Sequence, residues 1–229
     1  MGTTSSTKML GLIPARAGSR RLPGKNTKLI AGKPLIAWTI EAGLKASCVD
    51  RLILSSDDED AIRIARAQGC EVPFKRPAEL ASDTATSLDM VLHVLDYIDA
   101  DAQGFEWLAL LQPTSPLRRA SDIDNAFQLC LETGASSCIS VSELPKPADF
   151  FGTVAGTSFY SGAFLAPETN SRPCIVNGAI YLTRISALRA VRAFTGADTV
   201  AYVMPFDRSI DIDEPTDFIM AEALLKEER

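Results

Sequence analysis

Met9-Leu-Gly-Leu-Ile13 runs directly into Pro14-Ala-Arg-Ala-Gly-Ser-Arg-Arg-Leu-Pro-Gly-Lys-Asn26, and this junction decides the fold. The first stretch is an apolar run of strand length that stops at Pro14. The second is rich in small residues and cations. Beyond it Pro34 is placed to open a helix with Ile36, Ile40 and Leu44 on one face. A strand, a tight small-residue turn and a helix make the first half of a βαβ unit, and the alternation continues along the chain. Residues 52–54 read as a second strand ending in Ser55-Ser56-Asp57-Asp58, and 60–68 as a helix that Gly69 stops. Thr86 and Asp89 form a capping-box pattern ahead of a helix that carries His93. A further helix starts at Ser121. Residues 107–111, 138–141, 179–183, 200–204 and 209–212 supply more strands, and Pro215 opens a last helix with Phe218, Ile219 and Leu224 on its apolar side. The expected fold is α/β: a Rossmann-like, mostly parallel sheet with helices on both faces.

Between 144 and 176 the periodicity fails, and the stretch is rich in proline and glycine. So long a structureless connection does not suit the interior of a compact domain. It reads as an insertion, an arm whose Phe150, Phe151, Phe159, Tyr160 and Phe164 suit packing on a second subunit. The expected organisation is one domain over 8–229, this arm within it, and a polar, Ser/Thr-rich disordered leader over 1–7.

Composition narrows the partners. A net charge of −6 opposes general nucleic-acid binding, which wants a basic face, but leaves room for a local basic pocket. No apolar run approaches the roughly 20 residues of a membrane span, and the leader lacks the apolar centre of a signal peptide, so the cytoplasm is expected. Cys48, Cys70, Cys130, Cys138 and Cys174 are scattered, without metal-ligand spacing, and are expected to be reduced. His93 is the single histidine and sits in a helical pattern, so chemistry built on a histidine base is disfavoured.

The stretch 14–26 gathers Arg16, Arg20, Arg21 and Lys25 among Gly18, Ser19 and Gly24. Small residues let backbone N–H groups approach an anion that the cations neutralise, and a triphosphate is the natural counter-charge. The spacing excludes the Walker loop: five residues separate the two glycines instead of four, and Lys25 is followed by Asn26 rather than Ser or Thr. GxGxxG is absent. The plain alternative is a solvated basic loop. Near the other end, Asp211 and Asp213 flank Ile212; period-two alternation sets both carboxylates on one face, where they repel unless a cation such as Mg²⁺ lies between them. The alternative is an exposed acidic strand. Gln112 ends an apolar strand, where side chains project into the crevice beyond the sheet.

Five blocks in order resemble the acylneuraminate cytidylyltransferases, the CMP-sialic acid synthetase family. They are the loop 14–26, Leu54-Ser-Ser-Asp57, Arg76-Pro-Ala-Glu-Leu-Ala-Ser-Asp-Thr84, Leu111-Gln-Pro-Thr-Ser-Pro-Leu-Arg118, and Asn177-Gly-Ala-Ile-Tyr181 with Asp211-Ile-Asp213. The resemblance implies transfer of CMP from CTP to the anomeric hydroxyl of a 2-keto-3-deoxy sugar acid, with release of pyrophosphate. It assigns Arg16, Ser19, Arg20 and Lys25 to the triphosphate, with Arg16, Arg20, Lys25 and Asp213 catalytic. Asn26 matches a ribose contact, Arg76 and Ser82 the part that reads cytosine, and Gln112, Asn177 and Tyr181 the sugar side. Asp211 and Asp213 match the ligands of Mg²⁺, and a homodimer paired through the arm is implied. For Arg76 the bland alternative is a surface ion pair with Glu79.

The chain also departs from that family. Arg20 stands where many members have lysine, Ile175-Val176 where sialic-acid users tend to have Arg-Pro, and the stretch 143–151 offers only Lys146 toward a sugar carboxylate. These positions concern the sugar, and they point to another nonulosonic acid, of the legionaminic type, or a related keto-deoxy acid. Two readings compete: a cytidylyltransferase for a 3-deoxy-octulosonate, and a non-catalytic CTP-binding module.

Overall fold

The computed structural model describes residues 7–19, 21–100, 103–147, 150–161 and 172–227, without side chains at 99–100 and 159–161. Arg20, nearly all of the leader, and the parts of the arm that hold Phe164 and the side chains of Phe159 and Tyr160 lie outside the described residues.

Strand β1 (Met9–Ala15) is buried on both faces, which is why its sequence is apolar without alternation. A short ribbon, β2 (Leu29–Ile30) and β3 (Lys33–Pro34), leads into α1 (Leu35–Lys45), then β4 (Arg51–Ser56) and α2 (Glu59–Ala67). Next come the short α3 (Ala78–Ala81), α4 (Ser87–Ala100), β5 (Trp107–Leu110), α5 (Ala120–Thr133) and β6 (Ser137–Glu143). A hairpin, β7 (Gly152–Ala155) and β8 (Ser158–Ser161), precedes the long β9 (Cys174–Arg184). The chain closes with α6 (Ile185–Val191), β10 (Val200–Val203) and α7 (Pro215–Glu227). The central sheet has the order β10-β6-β9-β5-β1-β4. β4, β1 and β5 run parallel, as do β6 and β10; β9 lies antiparallel between β5 and β6.

Helices cover both faces, as expected. On one, Ile36 and Ile40 of α1, Ile62 of α2 and Ile123 of α5 pack with Ile13, Leu54 and Trp107. On the other, Val91 and Leu95 of α4 and Leu188 of α6 pack with Leu10, Leu12 and Leu108. A third, smaller cluster joins Leu22 of the basic loop, Leu117, Ile212, and Phe218 and Leu225 of α7.

Several details differ from the sequence reading. Gly43, not Leu44, continues the α1 face after Ile40. A Cβ at Gly43 would lie 2.9 Å from Leu52, so the helix sits too close for a side chain there and Leu44 turns outward. In α7 the inward set is Phe218, Ala221 and Leu225, and Ile219 is exposed. Residues 209–212 are not a strand: they border the cleft at Asp211, and the Ile212 N–H donates to Thr114 O (2.9 Å) outside any ladder. Within 144–176 the described residues hold regular structure that the sequence did not suggest: the β7–β8 hairpin and the start of β9, where Cys174, Ile175 and Val176 pair with Glu143, Ser142 and Val141. The Thr86–Asp89 capping box is present in both directions. All five cysteines are free thiols.

Candidate active site

The third cluster decides where the site forms. By burying Leu22 and Ile212 together, it draws the loop after β1 onto the segment ahead of α7. Lys25 Nζ then donates to Ile212 O (2.6 Å) and to Asp213 Oδ1 (3.2 Å). Arg21 Nη1 takes the other oxygen, Asp213 Oδ2, at 3.1 Å. Two cations of the loop thus share one carboxylate, 188 positions beyond Lys25 in sequence. Gly24, at φ 65°, makes the turn into a single 3₁₀ turn over Lys25–Thr27, and Asn26 buried there donates to Arg16 O (3.2 Å). Asn26 Oδ1 is buried without a hydrogen-bond partner among the described residues.

Beyond the ends of β1 and β5 lies a cleft of about 550 Å³, bounded by Arg16, Ser19, Lys25, Asn26, Gln112, Tyr181, Asp211 and Asp213. A second chamber of about 280 Å³ adjoins it, with Arg76, Ser82 and Met90 in its wall. Pro14, Arg16, Asp83 and Gln112 border both spaces. Arg16 forms part of the partition, donating to Asp83 Oδ1 (3.0 Å) and Ser82 O (3.4 Å). The loop is held from outside by Asp57, whose Oδ1 accepts from the Ala17 N–H at 2.9 Å.

Arg76 is buried and bonded to Ser55, Nε to Oγ at 3.0 Å and Nη2 to O at 2.5 Å. It is no surface partner of Glu79. Burial lowers its pKa to about 10, against the favourable charge of Asp57. At the opposite wall, β9 leaves its register with β6: Tyr181 is opposite Ile139, but Val176 is opposite Val141, so β9 bulges over 177–180. Gly178 occupies the left-handed region at φ 74°, 3.5 Å from Asp211 Oδ2 by its missing Cβ. Asn177 does not reach the cleft wall. Its Oδ1 accepts from Ser140 Oγ (2.6 Å) and Ala179 N (3.2 Å), and its Nδ2 donates to Ser209 Oγ (2.9 Å), so it pins the bulge. Tyr181 does line the cleft, and burial, then the charge of Asp211, raises its pKa.

Asp211 and Asp213 border the same space. Asp211 has its pKa raised, first by lost solvation, with Asp213 adding to the rise and a Thr114 hydrogen bond and Lys25 opposing it. Two interacting carboxylates, with Asp211 shifted upward, could hold a divalent cation such as Mg²⁺, which takes one or two carboxylates and completes its shell with phosphate and water.

Sequence reasoning missed the roles of Arg21, Asp57, Asp83 and Arg118. Arg118 is buried, with its pKa lowered to about 9 by burial against the favourable charge of Asp122. Its place at the end of the 111–118 block was visible; its burial was not.

Comparison with known proteins places this geometry. A cytidylyltransferase family model matches residues 10–154. The CMP-N,N'-diacetyllegionaminic acid synthase of Legionella pneumophila is 34% identical, over 96% of this chain and 97% of its own. The N-acylneuraminate cytidylyltransferase of Escherichia coli is 35% identical over 94% of this chain, which spans 51% of that longer protein. In fold, a CMP:2-keto-3-deoxy-manno-octonic acid synthetase solved in complex with CTP aligns with a TM-score of 0.74 at 19% identity, over 97% of this chain and 100% of that one.

Proposed function

The chain belongs to the cytidylyltransferase family, and from that premise we propose that it transfers CMP from CTP to a nonulosonic acid of the legionaminic or sialic type, releasing pyrophosphate. The observation that carries this reading is the contact of Lys25 with Ile212 O and Asp213, which puts the basic loop and the acidic pair on one cleft. The full-length likeness to the Legionella enzyme supports a sugar acid of that kind. The departures at Ile175-Val176 and Lys146 point the same way.

The anomeric oxygen attacks the α-phosphorus as the bond to the β-phosphate oxygen breaks; pyrophosphate leaves and the hydroxyl proton is lost to solvent. Such transfer rests on alignment and charge neutralisation, so no protein nucleophile is required. Arg16 and Lys25, with Arg20 and the Ser19 backbone, bind the triphosphate and hold the leaving pyrophosphate. Asn26, whose buried Oδ1 has no hydrogen-bond partner among the described residues, meets the ribose. The chamber of Arg76 and Ser82 takes cytosine, and Gln112 and Tyr181 face the sugar across the larger cleft. Mg²⁺ held by Asp211 and Asp213 would supply Lewis-acid charge at the α-phosphate. Asn177 supports the sugar wall through the β9 bulge without touching the ligand.

We propose a homodimer as the working form. Val176 and Val203 are both about half exposed and stand on either side of Val141 in register across β9, β6 and β10. With exposed Ile175 and Phe206 they give an apolar margin on the β10 side of the sheet.

The test is pyrophosphate release from CTP with a panel of acids: N,N'-diacetyllegionaminic, N-acetylneuraminic and 3-deoxy-octulosonic. Release with a nine-carbon acid is expected. Preference for the octulosonate would move the assignment to that substrate, and tight CTP binding with no release from any acid would mark a binding module.

A further inference from the structure

Arg118 is 3% exposed and makes no ion pair among the described residues. Its Nη1 donates to two backbone carbonyls, Ala179 O at 2.8 Å and Gln112 O at 3.1 Å. Its Nε and Nη2 are buried without a hydrogen-bond partner among the described residues. Burying a guanidinium to bind two neutral carbonyls is costly, and a neutral donor could satisfy the same oxygens more cheaply. The position of those oxygens explains the arrangement.

β5 and β9 pair antiparallel as far as Leu110 opposite Tyr181. Continued two steps, that register would set Gln112 opposite Ala179. The ladder does not continue, because β9 bulges there and Gln112 turns into the cleft. One nitrogen of Arg118 bridges the carbonyls of the two residues that would have stood opposite each other, so it joins the strands where their own bonding stops. Of the residues it spaces, Gly178 and Tyr181 on one wall border the larger cleft alone of the two spaces, and Gln112 on the other borders both. Arg76 and Ser82, in the other chamber, do not touch it.

We propose that Arg118 is a positioning residue that sets the separation of the β5 end from the β9 bulge, and so the affinity and alignment of the sugar acid but not of CTP. This rests on the reading of the larger cleft as the sugar site. A shift of about 1 Å in such a wall is enough to cost up to a hundredfold in rate.

The experiment compares wild type with Arg118→Met, which keeps the length and removes the donors, and Arg118→Lys, which keeps a charged donor. Melting temperature, CTP affinity by calorimetry, and kcat and KM for the sugar acid are measured on each. For Arg118→Met, kcat/KM for the sugar acid is expected to fall by about tenfold to a hundredfold while the Kd for CTP stays within about twofold, and lysine recovers part of the loss. Unchanged sugar kinetics, or parallel losses toward CTP and sugar, would overturn the proposal. Failure of both variants to fold would count against it equally, since the residue would then serve stability alone. If wild type itself turns over no sugar acid, the functional reading falls first, and that result is separate from any difference among the variants.

Discussion

Asp213 meets a cation through each of its oxygens, Arg21 on one and Lys25 on the other, and about half of its side chain is open to solvent. Exposed pairs of this kind contribute roughly 0–1 kcal/mol. Asp213→Ala is therefore expected to melt within about 3 °C of wild type, while turnover falls at least about a hundredfold for loss of a charge aligned on the reacting phosphate. Paired melting and pyrophosphate-release measurements check this; full activity in limiting Mg²⁺ would remove the metal assignment. Asp211 behaves differently. Its folded pKa is raised, so ionisation at neutral pH opposes folding: its favourable contribution is complete below the unfolded value near 3.8 and is lost as pH rises through the folded one. In chelator, Asp211→Asn is expected to melt above wild type at pH 7, with the gap closing as pH falls toward 3.8. A lower melting temperature at pH 7 would contradict the shift. The same substitution is expected to lose activity, the usual exchange of stability for function at a charged site.

At the scale of elements, the β9 bulge is the feature that shapes the wall of the larger cleft proposed to face the sugar. Gly178 at φ 74° is its hinge, and a side chain in that conformation costs roughly 1–2 kcal/mol. Gly178→Ala is expected to lower the melting temperature by about 2–8 °C. Its new methyl group would stand 3.5 Å from Asp211 Oδ2, inside the cleft, so KM for the sugar acid should rise more than the Kd for CTP. The alternation of strands and helices was legible because 9–13, 52–54 and 107–111 are apolar runs and the Thr86–Asp89 cap is a local signal. The bulge was not, since Asn177-Gly178 looks the same in a straight strand and in a bent one. Nor was the unpaired course of 209–212, whose Ile212 alternates with its neighbours as a strand would but packs on Leu22 and Leu117. The plain alternative for Arg76, a surface pair with Glu79, could not be set aside from sequence for the same reason: only the fold brings Ser55 to it.

The whole molecule joins two distant parts of the chain on one cleft by means of a small core. The sequence supplied the chemistry of each part, cations among small residues and paired carboxylates. Their meeting depends on Leu22, Ile212 and Phe218 sharing a cluster, which no local pattern reveals. The proposed dimer also belongs to this scale, with the half-exposed Val176 and Val203 on either side of buried Val141. Light scattering is expected to give twice the chain mass at micromolar concentration, and Val203→Glu, at the edge strand, to give the single mass with the fold retained. A monomeric wild type would reject the dimer.

The most direct measurement of the central claim is the effect of Mg²⁺ on CTP affinity, by calorimetry, in wild type and in an Asp211→Asn, Asp213→Asn double variant. If the basic loop and the acidic pair grip one metal–nucleotide complex, Mg²⁺ should tighten CTP binding to wild type by about tenfold more than to the variant, a coupling near 1.4 kcal/mol. An equal gain in both proteins would mean that the two aspartates hold no metal shared with the triphosphate, and would contradict the account.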